Sequence, residues 1–122
     1  MPNHIHVLWS YPDASYDVEG AFLSFTAHAF KKYIKKHAPQ ILDNYESTQS
    51  DRAYQFWERR SRTIETKSRD IVVQKLNYIH DNPLQEQWCL ADLPERYHYS
   101  SARYYEQLPQ PFPFLRHYVE YS

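Results

Sequence analysis

Polar and apolar residues alternate at the start of the chain, from Asn3 to Tyr11. The alternation separates two faces: His4, His6 and Leu8 on one, and Ile5, Val7, Trp9 and Tyr11 on the other. A period of two is the pattern of a β-strand, because successive side chains of a strand point to opposite sides. The sequence therefore predicts a strand here, and its apolar face is expected to be buried.

A helical period follows the break at residues 12–15 and predicts an amphipathic helix from Val18 to about His37. Its apolar positions are Val18, Phe22, Phe25, Ala29, Phe30, Tyr33 and Ile34. Four lysines, at positions 31, 32, 35 and 36, lie near its C-terminal end. Two explanations stay open for them, since lysines there suit the negative end of the helix dipole and also suit phosphate groups.

The next helical period predicts a helix from Arg69 to about Asp81, with Ser68 as its N-cap and Pro83 as its stop. Its apolar stripe, expected to be buried, consists of Val72, Leu76 and Ile79. Tyr78 and Asn82 lie one turn apart on a neighbouring stripe.

The segments between and after the helices are less regular. Residues 38–51 are predicted to form a loop, and Tyr54–Thr63, aromatic at its start and basic at its end, a second strand. An aromatic and polar stretch at 97–101 leads into a predicted short helix through Tyr105, before a proline-rich tail from about 106 to 122. With 122 residues, the chain is predicted to be one domain.

Composition excludes several classes of function. One glycine rules out the glycine-rich loops that bind nucleotide phosphates, and one cysteine rules out an internal disulfide and a thiolate zinc site. No stretch is long and apolar enough to be a transmembrane segment, so we expect a cytoplasmic protein without a membrane partner. The net charge is −1, but the basic residues are clustered and the aromatic share is 17%. Such surfaces suit unpaired bases, although most tyrosines of small domains cover the core.

The chemistry-bearing residues lie on two of the predicted elements. On a strand, His4 and His6 point the same way and are about 6.6 Å apart along the backbone, so they could bind one divalent cation. Asn82 could complete the ligand set through its carbonyl oxygen. Tyr78 would then attack a phosphodiester to give a phosphotyrosine, with the cation favouring the phenolate form. His80 projects about 200° away from Tyr78 around the helix and is left out.

These residues resemble a known family, the REP-associated and related insertion-sequence-type single-tyrosine transposases of the HUH endonuclease group. Residues 1–8, MPNHIHVL, look like the family's His-hydrophobe-His strand. Residues 77–84, NYIHDNPL, look like its tyrosine helix, in which the tyrosine is the nucleophile and the polar residue four positions on is the third metal ligand. Residues 54–59 and 97–101 resemble two further recurrent segments, so the similarity extends from Met1 to about Tyr105.

The resemblance implies an α+β, ferredoxin-like fold: an antiparallel sheet with helices packed on one face. It also implies Mg²⁺ or Mn²⁺ as cofactor and cleavage and rejoining of single-stranded DNA beside a hairpin, by a monomer or a homodimer. In the family the His-hydrophobe-His strand follows some tens of residues that add at least one strand. We therefore expect a domain that is N-terminally truncated relative to the family.

Contacts with DNA are expected from Arg59, Arg60, Arg62 and Lys75, although basic residues at a strand end are as often simply solvated. Two other functions stay open. One is a truncated or inactive protein that binds hairpin DNA without cutting it, and the other is a metal-dependent hydrolase that uses water while Tyr78 is structural.

Overall fold

The computed structural model describes residues 1–10, 13, 15–58 and 61–121. Of Tyr121 it describes the backbone alone. Three α-helices are formed: α1, Val18–His37; α2, Arg69–Asp81; and α3, Ala102–Tyr105. Short 3₁₀ helices occupy Pro39–Tyr45, Asn82–Leu84, Pro94–Arg96 and Tyr118–Tyr121. The chain packs as two compact units, a first unit of Met1–Ser10 and Ile64–Ser122 and a second unit of Tyr11–Thr63. Whether they form one domain stays a prediction.

The two long helices are confirmed at their predicted bounds, because local signals determine their ends. The Asp17 side chain accepts a hydrogen bond from the Gly20 amide at 2.8 Å at the start of α1. Ser68 accepts from the Ile71 amide in the same way at the start of α2. Pro83 lies in the 3₁₀ helix Asn82–Leu84 that follows α2, where its missing N–H costs no α-helical hydrogen bond.

The prediction of an α+β, ferredoxin-like antiparallel sheet is wrong. The described residues contain no strand, and their only β pairing is an isolated antiparallel bridge between Glu46 and Tyr54. Alternation selects two faces of a segment but does not supply the second chain that a strand needs. The backbone of residues 4–8 accordingly makes no hydrogen bond to any residue that the structure describes. Residues 4–8 of the predicted first strand therefore pair with no other strand within the described part of the chain.

The predicted second strand, Tyr54–Thr63, is wrong for a different reason. Its aromatic side chains pack on α1 instead of joining a sheet: the ring centroid of Trp57 lies 5.7 Å from that of Phe30, and that of Phe56 lies 6.2 Å from it. The Trp57 indole N–H also donates to Thr26 Oγ1 at 2.9 Å. The second unit is thus organised by aromatic contacts on one face of α1, and the predicted loop before them contains a 3₁₀ helix.

In the first unit the core is small. Its buried apolar residues among those described are Leu76 of α2, Pro83 and Ala102 of α3, and Val72 and Ile79 are half-buried. The chain beyond α3 folds back on it, since the Arg103 Nε donates to the Pro109 carbonyl at 2.7 Å and the rings of Tyr105 and Tyr118 stack. The predicted tail therefore packs against the body of this unit.

The apolar face of the first segment is not buried, contrary to the prediction. Ile5 is 52% exposed, and Val7 and Trp9 are also exposed. These side chains line a hollow of about 1230 Å³ whose other wall includes Leu76 and Ile79 of α2. Because no second layer fills this hollow within the described part of the first unit, the apolar face lines a cavity.

Candidate metal and tyrosine site

The two histidines of the first segment lie next to each other. The ring centroids of His4 and His6 are 4.9 Å apart with an interplanar angle of 78°, so both imidazoles lie on one side of the segment. The Trp88 ring packs against His4 at 5.3 Å. Ring contacts, and not strand pairing, therefore position this pair.

Hydrogen bonding fixes which nitrogen of His4 is available. The Nδ1 of His4 lies 2.7 Å from the Asn3 carboxamide oxygen, which can only accept, so Nδ1 carries the proton. The lone pair of the neutral ring is then on Nε2, the atom that would bind a metal ion. Asn3 thus acts as the group that orients a ligand.

The electrostatic environment of His6 also favours a ligand. Burial lowers the pKa of His6, and repulsion between two protonated imidazoles, His6 and His4, and from the N-terminal amine lowers it further. Only the neutral imidazole has a lone pair to donate. His6 is therefore held in the form that binds metal.

Tyr78 lies beside this pair. Its ring centroid is 5.5 Å from that of His6 at an interplanar angle of 76°, and the residue is 51% exposed. A half-exposed phenol can reach a substrate from solvent while its ring stays in contact with the imidazole. The structure therefore brings together three of the four residues singled out from the sequence.

Asn82 is the fourth, and its state is unusual. It is the C-cap of α2, where its backbone N–H donates to the Tyr78 carbonyl. The residue is 3% exposed, and its side-chain Oδ1 is buried without a hydrogen-bond partner among the described residues. A buried, unpaired carbonyl oxygen costs about 1–3 kcal/mol, so such groups usually have a partner.

Three of these four residues, His4, His6 and Asn82, match the chemistry of a divalent cation site. Two imidazole nitrogens and an amide oxygen are all neutral donors that Mn²⁺ accepts, and the unpaired Oδ1 of Asn82 is a donor that lacks a partner. Within the described residues, no group of three or more His, Cys, Asp or Glu side chains could hold a metal ion. The candidate site contains only two residues of these types, His4 and His6, and its third ligand would be an asparagine, so it is not a group of this sort.

The remaining predicted site residues contribute little to this geometry. Lys75 is half-buried on α2, three residues before Tyr78, and Arg62 is exposed in the second unit. Arg59 and Arg60 lie outside the described residues. Lys75, which belongs to the first unit, makes no hydrogen bond or ion pair with a site residue in the described part of that unit.

Two contacts, one at the site and one on the far side of its helix, were not found from the sequence. Trp88 packs on His4, and His80 lies on the opposite side of α2 from Tyr78, where its Nε2 is 2.9 Å from Ser101 Oγ. Burial lowers the pKa of His80, with Asp81 and Glu106 acting in the opposite direction. A neutral His80 therefore ties α2 to the 97–101 segment, a connection that depends on chain reversals no local pattern encodes.

None of the described helices has the length and apolar character that crossing a membrane requires. In comparisons with known proteins, no family model matches the chain, and no significant match is found among curated proteins or solved structures.

Proposed function

We propose that the protein is a metal-dependent, single-stranded DNA endonuclease and strand transferase that works through Tyr78 in DNA transposition, as the sequence resemblance implies. The observation that supports this most is the juxtaposition of His4, His6 and Tyr78, with successive ring centroids 4.9 and 5.5 Å apart. The unpaired Oδ1 of Asn82 one turn beyond Tyr78 adds a third candidate ligand.

In this proposal His4, His6 and Asn82 hold the cation. When bound, Mg²⁺ or Mn²⁺ would polarise the scissile phosphate and offset the negative charge that develops during the reaction. Asn3 orients the His4 ring through its Nδ1, and the neutral state of His6 keeps a lone pair available.

Tyr78 carries out the bond exchange. Its phenolic oxygen forms a bond to phosphorus while the bond from phosphorus to the departing strand breaks. The phenolic proton is lost to solvent, which reaches the half-exposed side chain, and the departing oxygen is protonated to a free hydroxyl. The product is a DNA strand linked to Tyr78, and attack by a second hydroxyl on that linkage would rejoin strands without an external energy source.

The test is a covalent adduct. Because the target is unknown, the substrate is a labelled single-stranded library with a constant hairpin and random flanks, incubated with the full chain and Mn²⁺. We expect a protein–DNA adduct that survives denaturation and is absent in EDTA and in Tyr78→Phe. The matched control is Tyr16→Phe, which removes the same hydroxyl from an exposed tyrosine of the second unit and should leave the adduct unchanged.

A second function has one observation in its favour. The backbone of residues 4–8 has no hydrogen-bond partner among the described residues, so the histidine pair is less rigidly held than catalysis usually demands. The alternative is a protein that binds hairpin DNA without cutting it. Binding with no cleavage in Mn²⁺ would favour this alternative, and cleavage without an adduct would favour hydrolysis by water.

A further inference from the structure

One face of α1 carries exposed aromatic rings among lysines. Phe25 is 76% exposed and Tyr33 is 65% exposed. At 100° per residue, Lys32 and Lys36 lie on either side of Phe25 within an arc of about 40° around the helix axis. We call the surface formed by Phe25, Lys32, Tyr33 and Lys36 the outer face of α1.

The fold does not use this face. Other side chains of α1 hold the second unit together. Thr26, about 100° around the axis from Phe25, accepts from the Trp57 indole, and Phe30, about 140° from Phe25, packs on Phe56 and Trp57. Phe25 has no such partner among the described aromatic contacts of this unit. Phe25 and Tyr33, two of the apolar positions of this amphipathic helix, are therefore exposed.

The lysines of this face have no acidic partner either. Lys32, Lys35 and Lys36 form no ion pair with any described residue, whereas Lys31 lies 4.8 Å from the centre of the Tyr54 ring. The helix dipole accounts for lysines in the last turn only, because its effect falls off within one turn. Lys32 lies before that turn, so the dipole does not explain its position.

We infer that the outer face of α1 binds single-stranded DNA. The inference rests on the proposed function for its choice of DNA. Unpaired bases would stack on Phe25 and Tyr33, which are about 12 Å apart along the helix at 1.5 Å per residue, and the lysines would lie near the phosphates between them. The His37 ring packs on Tyr33 with centroids 4.4 Å apart, which orients Tyr33 and leaves its other side open.

A membrane surface fits this face less well. A helix that lies in a membrane interface needs a wide, continuous apolar face. Here Lys32 and Lys36 interrupt the C-terminal half of the outer face, on either side of Tyr33 in the chain, so no wide and continuous apolar face is present. Exposed rings followed by cations on one face suit bases that stack and phosphates that are neutralised.

The experiment measures binding of fluorescent oligo(dT) to the full chain by anisotropy, as a function of salt. EDTA and the Tyr78→Phe background prevent cleavage. We expect Phe25→Ala to weaken binding about 5- to 150-fold, the range that loss of one base-stacking ring gives, and Phe25→Trp to restore it. Replacing Lys32 and Lys36 together by alanine should reduce the slope of log affinity against log salt by about 1.4.

Matched controls remove similar groups elsewhere. Tyr16→Ala removes another exposed ring, and Lys67→Ala removes an exposed lysine that lies 3.7 Å from Glu65; both should leave binding unchanged. Circular dichroism confirms that each variant is folded. The inference is overturned if Phe25→Ala binds like its parent, if a duplex competes as well as a single strand, if oligo(U) binds more tightly than oligo(dT), or if anionic vesicles bind and DNA does not.

Failure here and failure of the proposed function are distinguishable. The binding assay needs neither metal nor Tyr78, whereas the adduct assay needs both. Phe25-dependent binding without an adduct would retain the outer face and refute the transferase. An adduct that forms equally well in Phe25→Ala at limiting DNA would retain the transferase and refute the outer face.

Discussion

Replacing Asn82 with leucine tests whether the Asn82 side chain is a metal ligand or a structural amide. Asn82 is 3% exposed and its Oδ1 has no partner among the described residues, so the metal-free protein carries an unpaired acceptor in its interior. An unsatisfied buried polar group costs about 1–3 kcal/mol, and leucine has a similar size without that group. We therefore expect Asn82→Leu to raise the free energy of unfolding in EDTA by about 1–3 kcal/mol.

With metal the stability difference between the two proteins should shrink or change sign. A ligand that binds only the folded state at one hundred times its dissociation constant stabilises that state by about 2.7 kcal/mol. The wild-type protein should gain this amount at saturating Mn²⁺, and Asn82→Leu should gain far less because one of three ligands is gone. Urea unfolding followed by circular dichroism, with EDTA and with Mn²⁺, measures both effects.

Two further variants complete the test. Asn77→Leu makes the same substitution at an exposed position of α2 and should change neither quantity by more than about 0.5 kcal/mol. Asn82→Asp places a charge in the same buried site, so it should destabilise the metal-free protein and recover with Mn²⁺. The proposed ligand role is refuted if Asn82→Leu is less stable than the wild type in EDTA, or if Mn²⁺ raises the free energy of unfolding equally in both proteins. In either case Asn82 is not a metal ligand that lacks a partner in the metal-free protein.

Two other predictions concern stability. Leu76→Ala should lower the free energy of unfolding by about 2–5 kcal/mol, because Leu76 is the buried leucine of the helix that carries Tyr78, whereas Ile71→Ala on the exposed side of α2 should cost less than half as much in the same urea titration. Burial raises the pKa of Tyr105 above that of an unfolded tyrosine, about 10, so its contribution to stability is complete below that pH and is lost as pH rises through the folded pKa. As pH rises above about 10 the wild type should therefore lose more stability than Tyr105→Phe, and equal losses in the two proteins would contradict a raised pKa for Tyr105.

The parts of the structure that could be predicted are those that short stretches of sequence determine. The Asp17 and Ser68 caps and the apolar spacing of α1 and α2 act over a few residues, and both helices have their predicted bounds. The proximity of His4 to His6 follows in the same way from an alternating segment. The sheet could not be obtained like this, because whether residues 4–8 find a neighbouring strand depends on the rest of the chain.

The contacts that join distant segments around the site could not be predicted from the sequence either. Trp88 reaches His4 only after the chain turns at Asn82–Leu84, and Ser101 reaches His80 after a further reversal near Pro94. Neither pair has a spacing that a helix or a strand would impose. The identity of the residues in the candidate site could therefore be proposed from the sequence, whereas the contacts that hold His4 and α2 in place could not.

The way the first segment is held has a consequence for the chemistry. His4 and His6 are positioned by contacts with Trp88 and Tyr78, and such aromatic pairs contribute only about 0.5–1.5 kcal/mol each beyond the area they bury. A paired strand would add several backbone hydrogen bonds, which residues 4–8 do not make to the described chain. A cation bridging this segment to the end of α2 would therefore supply order as well as Lewis acidity, so metal binding and the arrangement of His4 and His6 beside Tyr78 should form together.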